Sequence, residues 1–275
     1  MKKVLTIAGS DPSGGAGIQA DLKTMEAHGV YGMSVITSLT AQNTLGVTGK
    51  LAIPGEFVGQ QLEAVFDDIF PDAVKIGMLP DREVMEAVRD SILKYKPQNI
   101  VLDPVLGSTS GTSLSAENAR SYLKEKLFPL CTLITPNIPE AEILIQSSNG
   151  EKIEGQSVFT ISSEEDMEKA ARKLGDIYSC SVLIKGGHGL FTGDICKDCL
   201  YSDGEIAWFK SLRIDNPNTH GTGCTLSSAI ACNLALGFSL SEAVKRAKKY
   251  LTKCIDAGLD IGNGRGPLEH RVNTR

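Results

Sequence analysis

Asn218-Thr219-His220-Gly221-Thr222-Gly223-Cys224, followed by the apolar run from Thr225 to Leu236, is the stretch on which the fold turns. Two glycines flank a threonine just before a helical pattern, so backbone N–H groups of Gly221, Thr222 and Gly223 can converge on one spot at a helix N-terminus. Such a spot binds anions. Cys224 stands where the helix begins, and the helix dipole and unpaired N–H groups there are expected to lower its pKa and favour the thiolate. A base beside an anion hole suits phosphoryl transfer to a hydroxyl. The plainer reading is a glycine turn followed by a small buried cysteine. What stands upstream has to choose between the two.

Upstream, apolar runs of strand type alternate with patterns of helical spacing. Val4 to Gly9 reads as a strand running into the glycine-rich loop Ser10 to Gly17, and Ile18, Leu22 and Met25 open a helix that ends at Gly29. Asp21 lies on the flank of that apolar stripe, where it either caps or pairs something locally or reaches into a site at the sheet edge. Met33 to Ala41 is a second strand running into Gln42-Asn43-Thr44. The Gln42 carboxamide offers one donor and one acceptor side by side, a match to the edge of an aminopyrimidine, unless it is a solvated loop amide.

Strands over Ala73 to Met78, Asn99 to Val105, Cys131 to Ile134 and Cys180 to Ile184 follow, with helices between them. Asp103 ends one strand, where it either meets a ligand or caps the next turn. Asn137 and Glu140 fit a capping box; the alternative is that Glu140 organises magnesium through water. Lys185, at a strand end beside glycines, either reaches a nucleotide phosphate or is an exposed loop lysine. Ser162 and Glu165 read as the capping box of a helix ending at Gly175, and Ser239 and Glu242 as that of the last helix, with Lys245, Arg246, Lys248, Lys249 and Lys253 on a solvated face. Leu200-Tyr201 and Ile206 to Phe209 form a hairpin around Asp203-Gly204. Gly262 to Pro267 reads as a connector. The alternation predicts an α/β fold with a mainly parallel sheet covered on both faces, and the glycine-rich loop, Gln42, Asp103, Asn137, Glu140, Lys185 and the Cys224 turn all fall at the carboxyl ends of its strands.

The 275 residues read as one domain, 1–275, with Gln146 to Thr160 as an insertion within it. A hydrophobic share of 41% supports a substantial core, and a net charge of −5 lacks the basic footprint of general nucleic-acid binding. Seven cysteines without a regular framework suggest reduced thiols and a cytoplasmic setting. Met1-Lys2-Lys3 carries the charge of a signal peptide, but the apolar stretch after it is too short for one, and no run reaches the ~20 apolar residues of a membrane span. Cys196 and Cys199 lack the further ligands of a zinc site and read as two thiols on a loop entering the hairpin.

G-S-D-P-S-G-G-A-G-I-Q-A-D at Gly9 to Asp21, A-Q-N-T at Ala41 to Thr44, K-I-G-M at Lys75 to Met78, L-D-P-V at Leu102 to Val105, T-P-N-x-P-E-A at Thr135 to Ala141, K-G-G-H at Lys185 to His188 and T-H-G-T-G-C-T at Thr219 to Thr225 together resemble the hydroxymethylpyrimidine/phosphomethylpyrimidine kinases, in family order along nearly the whole chain. The resemblance implies a three-layer ribokinase-like fold, with helices on both faces of the sheet and a small β-hairpin addition. It implies ATP-dependent phosphorylation of 4-amino-5-hydroxymethyl-2-methylpyrimidine and then of its monophosphate, with Mg²⁺ bridging the phosphates, in a homodimer. By the same resemblance Gln42 binds the pyrimidine, and Asp21, Gly9, Met78 and Val105 line its pocket. Lys185, Asn137 and Thr219 serve the ATP phosphates, Glu140 and Asp103 the metal. Cys224 accepts the hydroxymethyl proton beside the N–H groups of Gly221, Thr222 and Gly223.

Gly107-Ser108-Thr109-Ser110-Gly111 departs from the lysine-containing version of this loop in many members, so no contact of that lysine carries over. The nearest rival is a pyridoxal, pyridoxine or pyridoxamine kinase of the same fold. Gly15-x-Gly17-x-x-Ala20 also fits a dinucleotide fingerprint, but the acid that would hold the ribose is missing after the second strand, which disfavours an NAD-dependent oxidoreductase. A non-catalytic ligand sensor is the remaining alternative.

Overall fold

The structure, a computed structural model, describes residues 1–106, 117–146, 159–187 and 193–274. A nine-stranded sheet runs through the molecule in the order β3-β2-β1-β4-β5-β6-β7-β8-β9. The strands are β1 (Lys3–Ser10), β2 (Tyr31–Asn43), β3 (Gly46–Ala52), β4 (Ala73–Ile76), β5 (Ile100–Leu102), β6 (Leu133–Ile134), β7 (Ser181–Ile184), β8 (Ile195–Ser202) and β9 (Glu205–Leu212). The central six pair in parallel, and β3, β8 and β9 add antiparallel edges. β1 lies between β2 and β4, so successive crossovers leave it in opposite directions. That reversal opens a crevice at the carboxyl ends of β1 and β4, where sheets of this kind bind ligands.

Because neighbouring side chains on a strand point to opposite faces, the parallel strands feed two cores. Leu5, Ile7, Ile100, Leu102, Ile134 and Ile184 belong to one. It packs under helices α2 (Gly55–Asp68), α3 (Arg82–Tyr95), α5 (Ile138–Gln146) and α6 (Glu164–Tyr178), and under α4 (Glu117–Tyr122), which continues through a wider π turn over Leu123–Leu127. Val4, Val101, Leu133 and Leu183 point the other way, toward α1 (Gly17–Ala27), α7 (Thr222–Ala235) and α8 (Leu240–Asp256). Helix α7 is buried from Thr225 to Ala235. Its Ser227, Ser228, Ala229, Ala231 and Ala235 have the small side chains that let a helix lie close on a sheet, and no charged face interrupts them.

Several local expectations hold in detail. Asp81 caps α3 through Val84 N–H at 3.0 Å, Ser239 caps α8, and Asp203 and Gly204, both at positive φ, form the turn of the β8–β9 hairpin. Others shift. The cap of α6 is Ser163, accepting from Asp166 N–H, rather than Ser162 with Glu165. Gly175 does not end that helix but lies inside it, because the Tyr201 ring presses on it where a Cβ would stand 2.2 Å from the ring. Cys196 and Cys199 lie on β8 instead of a loop, both as free thiols. Lys248 leaves the solvated face of α8 and is buried against Asp198 at 2.6 Å. β3, over a stretch to which the sequence assigned no element, folds back on β2 and puts Gln42 inside a hairpin. The loop Gly107 to Gly111, most of the insertion (147–158) and His188-Gly189 lie outside the described residues.

Candidate active site

A cavity of about 480 Å³ opens at the crevice beside β1. Its floor is set by Gly9, where the Met78 methyl lies so close that a Cβ would meet it at 2.5 Å. Gln42 from the β2–β3 hairpin, Val105 after β5, and Cys224 from the first turn of α7 complete the set of sequence-predicted residues on its wall. Four candidate substrate residues and the candidate base therefore share one pocket.

The turn before α7 is fastened to the glycine-rich loop. Asp11 gathers the N–H groups of Ser13 at 2.9 Å, Gly15 at 3.2 Å and Ala16 at 2.9 Å, the Ser13 hydroxyl at 2.7 Å and His220 Nε2 at 2.8 Å. Burial works against its charge, but the bonds from His220, Ser13 and Ala16 outweigh it and hold the carboxyl at about 2. Gly221, the N-cap of α7, has φ +87°, and a Cβ there would stand 1.9 Å from the Gly15 carbonyl oxygen. Only glycine fits that crossing. No side chain caps this helix end, and past Thr222 the N–H groups of Gly223 and Cys224 are left for a ligand. Thr219 is exposed and does not line the cavity; its carbonyl accepts the Thr222 N–H at 3.3 Å.

A charged cluster faces the same helix end. Lys185 Nζ is 2.6 Å from Asp103 Oδ1, which also accepts from Thr135 Oγ1 at 3.1 Å. A Cβ on Gly223 would meet Asp103 Oδ2 at 2.8 Å and Lys185 Nζ at 3.5 Å, so the pair abuts the first turn of α7. Glu140 and Asn137 make a reciprocal capping box: Asn137 N–H to Glu140 Oε2 and Glu140 N–H to Asn137 Oδ1, each 2.9 Å. The other Glu140 oxygen accepts from Leu106 N–H at 3.2 Å. Burial pushes Glu140 above the usual carboxylate range against the pull of Lys185, while Asp103 and Glu140 keep the Lys185 ammonium above its ordinary value despite burial. Lys185 is thus neither an exposed loop lysine nor a free cation; it is the counter-charge of two acids.

Asp21 corrects an expectation. It does not line the cavity: it is fully buried behind it, 2.8 Å from Lys75 Nζ, and accepts from Thr6 Oγ1 at 2.6 Å and Ser228 Oγ at 2.7 Å. Its partners come from β4, β1 and α7, so it ties α1 to the sheet and to the helix that carries Cys224. The expected lowering of the Cys224 thiol is also reversed. Burial pushes it up; Lys75 pulls it down, Asp21 and Asp103 raise it again, and the Gly17 N–H lowers it. The helix end alone does not decide the charge of a sulfur set between two carboxylates.

Asp11, His220 and Lys75 had no role from the sequence, and Gly262 to Pro267 only that of a connector. A lysine in the apolar run Ala73 to Ile76 was the available signal for a buried ion pair. The glycine segment is no mere connector: Arg265 N–H donates to the Thr44 carbonyl at 3.0 Å, Gly264 N–H to Thr44 Oγ1 at 3.2 Å and Gly266 N–H to Asn218 Oδ1 at 2.9 Å, and Gly264 and Arg265 form part of the cavity rim.

A family model described as phosphomethylpyrimidine kinase matches residues 11–269. The chain is 49% identical over 267 residues to the thiamine biosynthesis bifunctional protein ThiED of Geobacter sulfurreducens, covering 97% of this chain and 52% of that protein, so it spans about half of that relative's length. It is 43% identical over 270 residues to the hydroxymethylpyrimidine/phosphomethylpyrimidine kinase of Staphylococcus aureus, covering 98% of this chain and 93% of that one. Among solved structures, the ADP complex of Bacillus subtilis pyridoxal kinase superposes with a TM-score of 0.85 at 36% identity, over 98% of this chain and 97% of that one.

Proposed function

The chain belongs to the phosphomethylpyrimidine kinase family, and on that premise we propose that its cleft phosphorylates 4-amino-5-hydroxymethyl-2-methylpyrimidine with ATP and then phosphorylates the monophosphate. It is a phosphotransferase of ribokinase-like fold that serves thiamine biosynthesis. The observation that carries the substrate and the residue roles is the shared wall: Gln42, a donor–acceptor amide, and Cys224, a sulfur on an uncapped helix turn, line one cavity.

In this reading Gln42 pairs with the aminopyrimidine edge, and Gly9, Met78 and Val105 pack against the ring. Cys224 Sγ, as the thiolate, takes the hydroxymethyl proton as the oxygen attacks the γ-phosphorus and the bond to the bridging oxygen breaks to release ADP, and the N–H groups of Gly223 and Cys224 face the charge that develops on the transferring group. Lys185 and Thr219 serve the phosphates, and Asn137 holds Glu140 in place. Asp103 and Glu140 supply hard carboxylate oxygens beside the helix end, a donor set that suits Mg²⁺, which takes one or two carboxylates and keeps waters and phosphate oxygens for the rest. Bound there, Mg²⁺ neutralises phosphate charge. We further assign the protein to the cytoplasm, as a homodimer without nucleic-acid partners, acting as one domain over residues 1–275.

The pyridoxal kinase reading keeps the same fold and the same sulfur, and the 36% identity to the Bacillus subtilis enzyme favours testing it alongside. An ATP-coupled assay offers the pyrimidine alcohol, its monophosphate and pyridoxal side by side. The highest kcat/KM is expected for the pyrimidine alcohol, with turnover of the monophosphate. A higher kcat/KM for pyridoxal overturns the assignment.

A further inference from the structure

Gln42 lies between two neighbours whose protons can be counted. On one side, its terminal nitrogen is placed 3.2 Å from His220 Nε2, and the same Nε2 is 2.8 Å from Asp11 Oδ2. On the other, its oxygen is placed 3.2 Å from Thr40 Oγ1, which is also 3.0 Å from the Ser10 carbonyl oxygen.

Each side carries a single proton, and each proton is already committed. Asp11 is ionised and accepts only, so His220 Nε2 must carry hydrogen toward it, whether the ring is neutral or cationic. A protonated Nε2 has no lone pair to offer an NH₂ group, but its N–H can be shared with an oxygen. The Thr40 hydroxyl has one hydrogen, and the Ser10 carbonyl can only accept it. Toward Gln42 the threonine therefore presents a lone pair, which needs a donor.

Both neighbours make the same demand. The amide must be turned half a rotation, with its oxygen toward His220 and its nitrogen toward Thr40.

We propose that Asp11–His220 on one side and Ser10–Thr40 on the other lock the carboxamide of Gln42 in this orientation, and that the lock makes the site discriminate a 4-amino from a 4-oxo pyrimidine. The proposal rests on the pyrimidine reading of the cleft. With one lone pair and one N–H engaged, the amide keeps one acceptor and one donor for a ligand, in fixed order. An aminopyrimidine presents a donor on the exocyclic nitrogen and an acceptor on the ring nitrogen. Its hydrolytically deaminated lactam presents the reverse: a carbonyl oxygen and a ring N–H. A freely rotating amide satisfies either by flipping. A locked one satisfies only the first, and leaves two buried polar groups opposed in the second. His220 and Thr40 are then positioning residues that set specificity through Gln42.

The test compares kcat/KM for 4-amino-5-hydroxymethyl-2-methylpyrimidine and its 4-oxo analogue in wild type, His220→Leu and Thr40→Val. The wild type should favour the amino compound by about a hundredfold or more. Each variant should lose about tenfold of that ratio, through a selective gain for the oxo compound relative to the amino one. A structural defect lowers both substrates together, so an unchanged amino-to-oxo ratio in both variants overturns the lock.

A second readout does not depend on the substrate. Long-range ¹H–¹⁵N spectra of the unliganded protein, with His220 assigned by its loss in His220→Leu, should show hydrogen on Nε2 across the neutral range. A ring with hydrogen on Nδ1 and a bare Nε2 overturns the proposal even if the pyrimidine is phosphorylated. If neither pyrimidine is a substrate, the functional reading fails and this spectrum alone judges the lock.

Discussion

Lys75 on β4 and Asp21 on α1 face each other at 2.8 Å with neither side chain reaching solvent, directly behind the sulfur proposed to do the chemistry. The pair is closed by the hydroxyls of Thr6 and Ser228, so the Asp21 carboxylate is fully engaged. Coulomb attraction holds the Lys75 ammonium charged against the penalty of burial.

Breaking one half of this pair leaves a charge without a partner in the core. Lys75→Met is expected to cost about 3–5 kcal/mol of stability in urea unfolding. Adding Asp21→Leu should recover part of that loss, since the orphaned carboxylate is gone. Strictly additive losses in the double variant would contradict the ion-pair description.

The Cys224 thiol, held up by burial and two carboxylates, gains base character only as pH rises. The first phosphorylation should therefore speed up with pH into and beyond the ordinary thiol range, and Cys224→Ala should remove that limb with a loss of about 10²–10⁴ in kcat. The second acceptor is a phosphate monoester, already ionised near neutrality, and should suffer less. Equal losses in the two rate constants reject Cys224 as the base.

Gly223→Ala would push a methyl to 2.8 Å from Asp103 Oδ2 and 3.5 Å from Lys185 Nζ. The helix itself tolerates alanine, so melting should change little. The charged cluster must move off the first turn of α7, and kcat/KM should fall about a hundredfold. Steady-state kinetics beside thermal melts check this; unimpaired catalysis would show that the cluster takes no part.

Acid stability should fall in two stages. His270 is buried neutral, its value lowered from 6.5 to about 4 chiefly by burial, so the unfolded chain binds its proton first. The stability it carries is whole above about pH 6.5 and drains away as pH falls toward 4. Asp11, lowered from 3.8 to about 2, contributes stability that is whole above about pH 4 and is lost toward pH 2. Urea titrations at pH 7, 5 and 3 should show both declines, with the first flattened in His270→Phe and the second in Asp11→Asn.

The alternation of strands and helices, the apolar character of α7 and several caps were legible because each depends on neighbours within a turn or two of the chain. The gathering of Gly9, Gln42, Met78, Val105 and Cys224 was legible because all stand at the carboxyl ends of one sheet, or at a helix start facing it. Asp21 and Lys248 were misplaced for a shared reason. Each finds its charge partner about 50 residues away, at Lys75 and Asp198, and only the fold brings those partners within reach. Gly175 misled because a glycine that makes room for Tyr201 looks in sequence like one that ends a helix. The direction of the Cys224 shift was hidden likewise, since helix position is local while the burial that chiefly raises the thiol, and the carboxylates that add to it, are not.

The seam between Thr44 and Gly264-Arg265 joins, at the lip of the cavity, two segments 220 residues apart in the chain. A ribosome making this protein therefore lays down the sheet long before a complete binding pocket can exist. Until Arg265 has cleared the exit tunnel, the growing chain has no finished rim, and small ligands cannot rescue an arrested or truncated product through that rim.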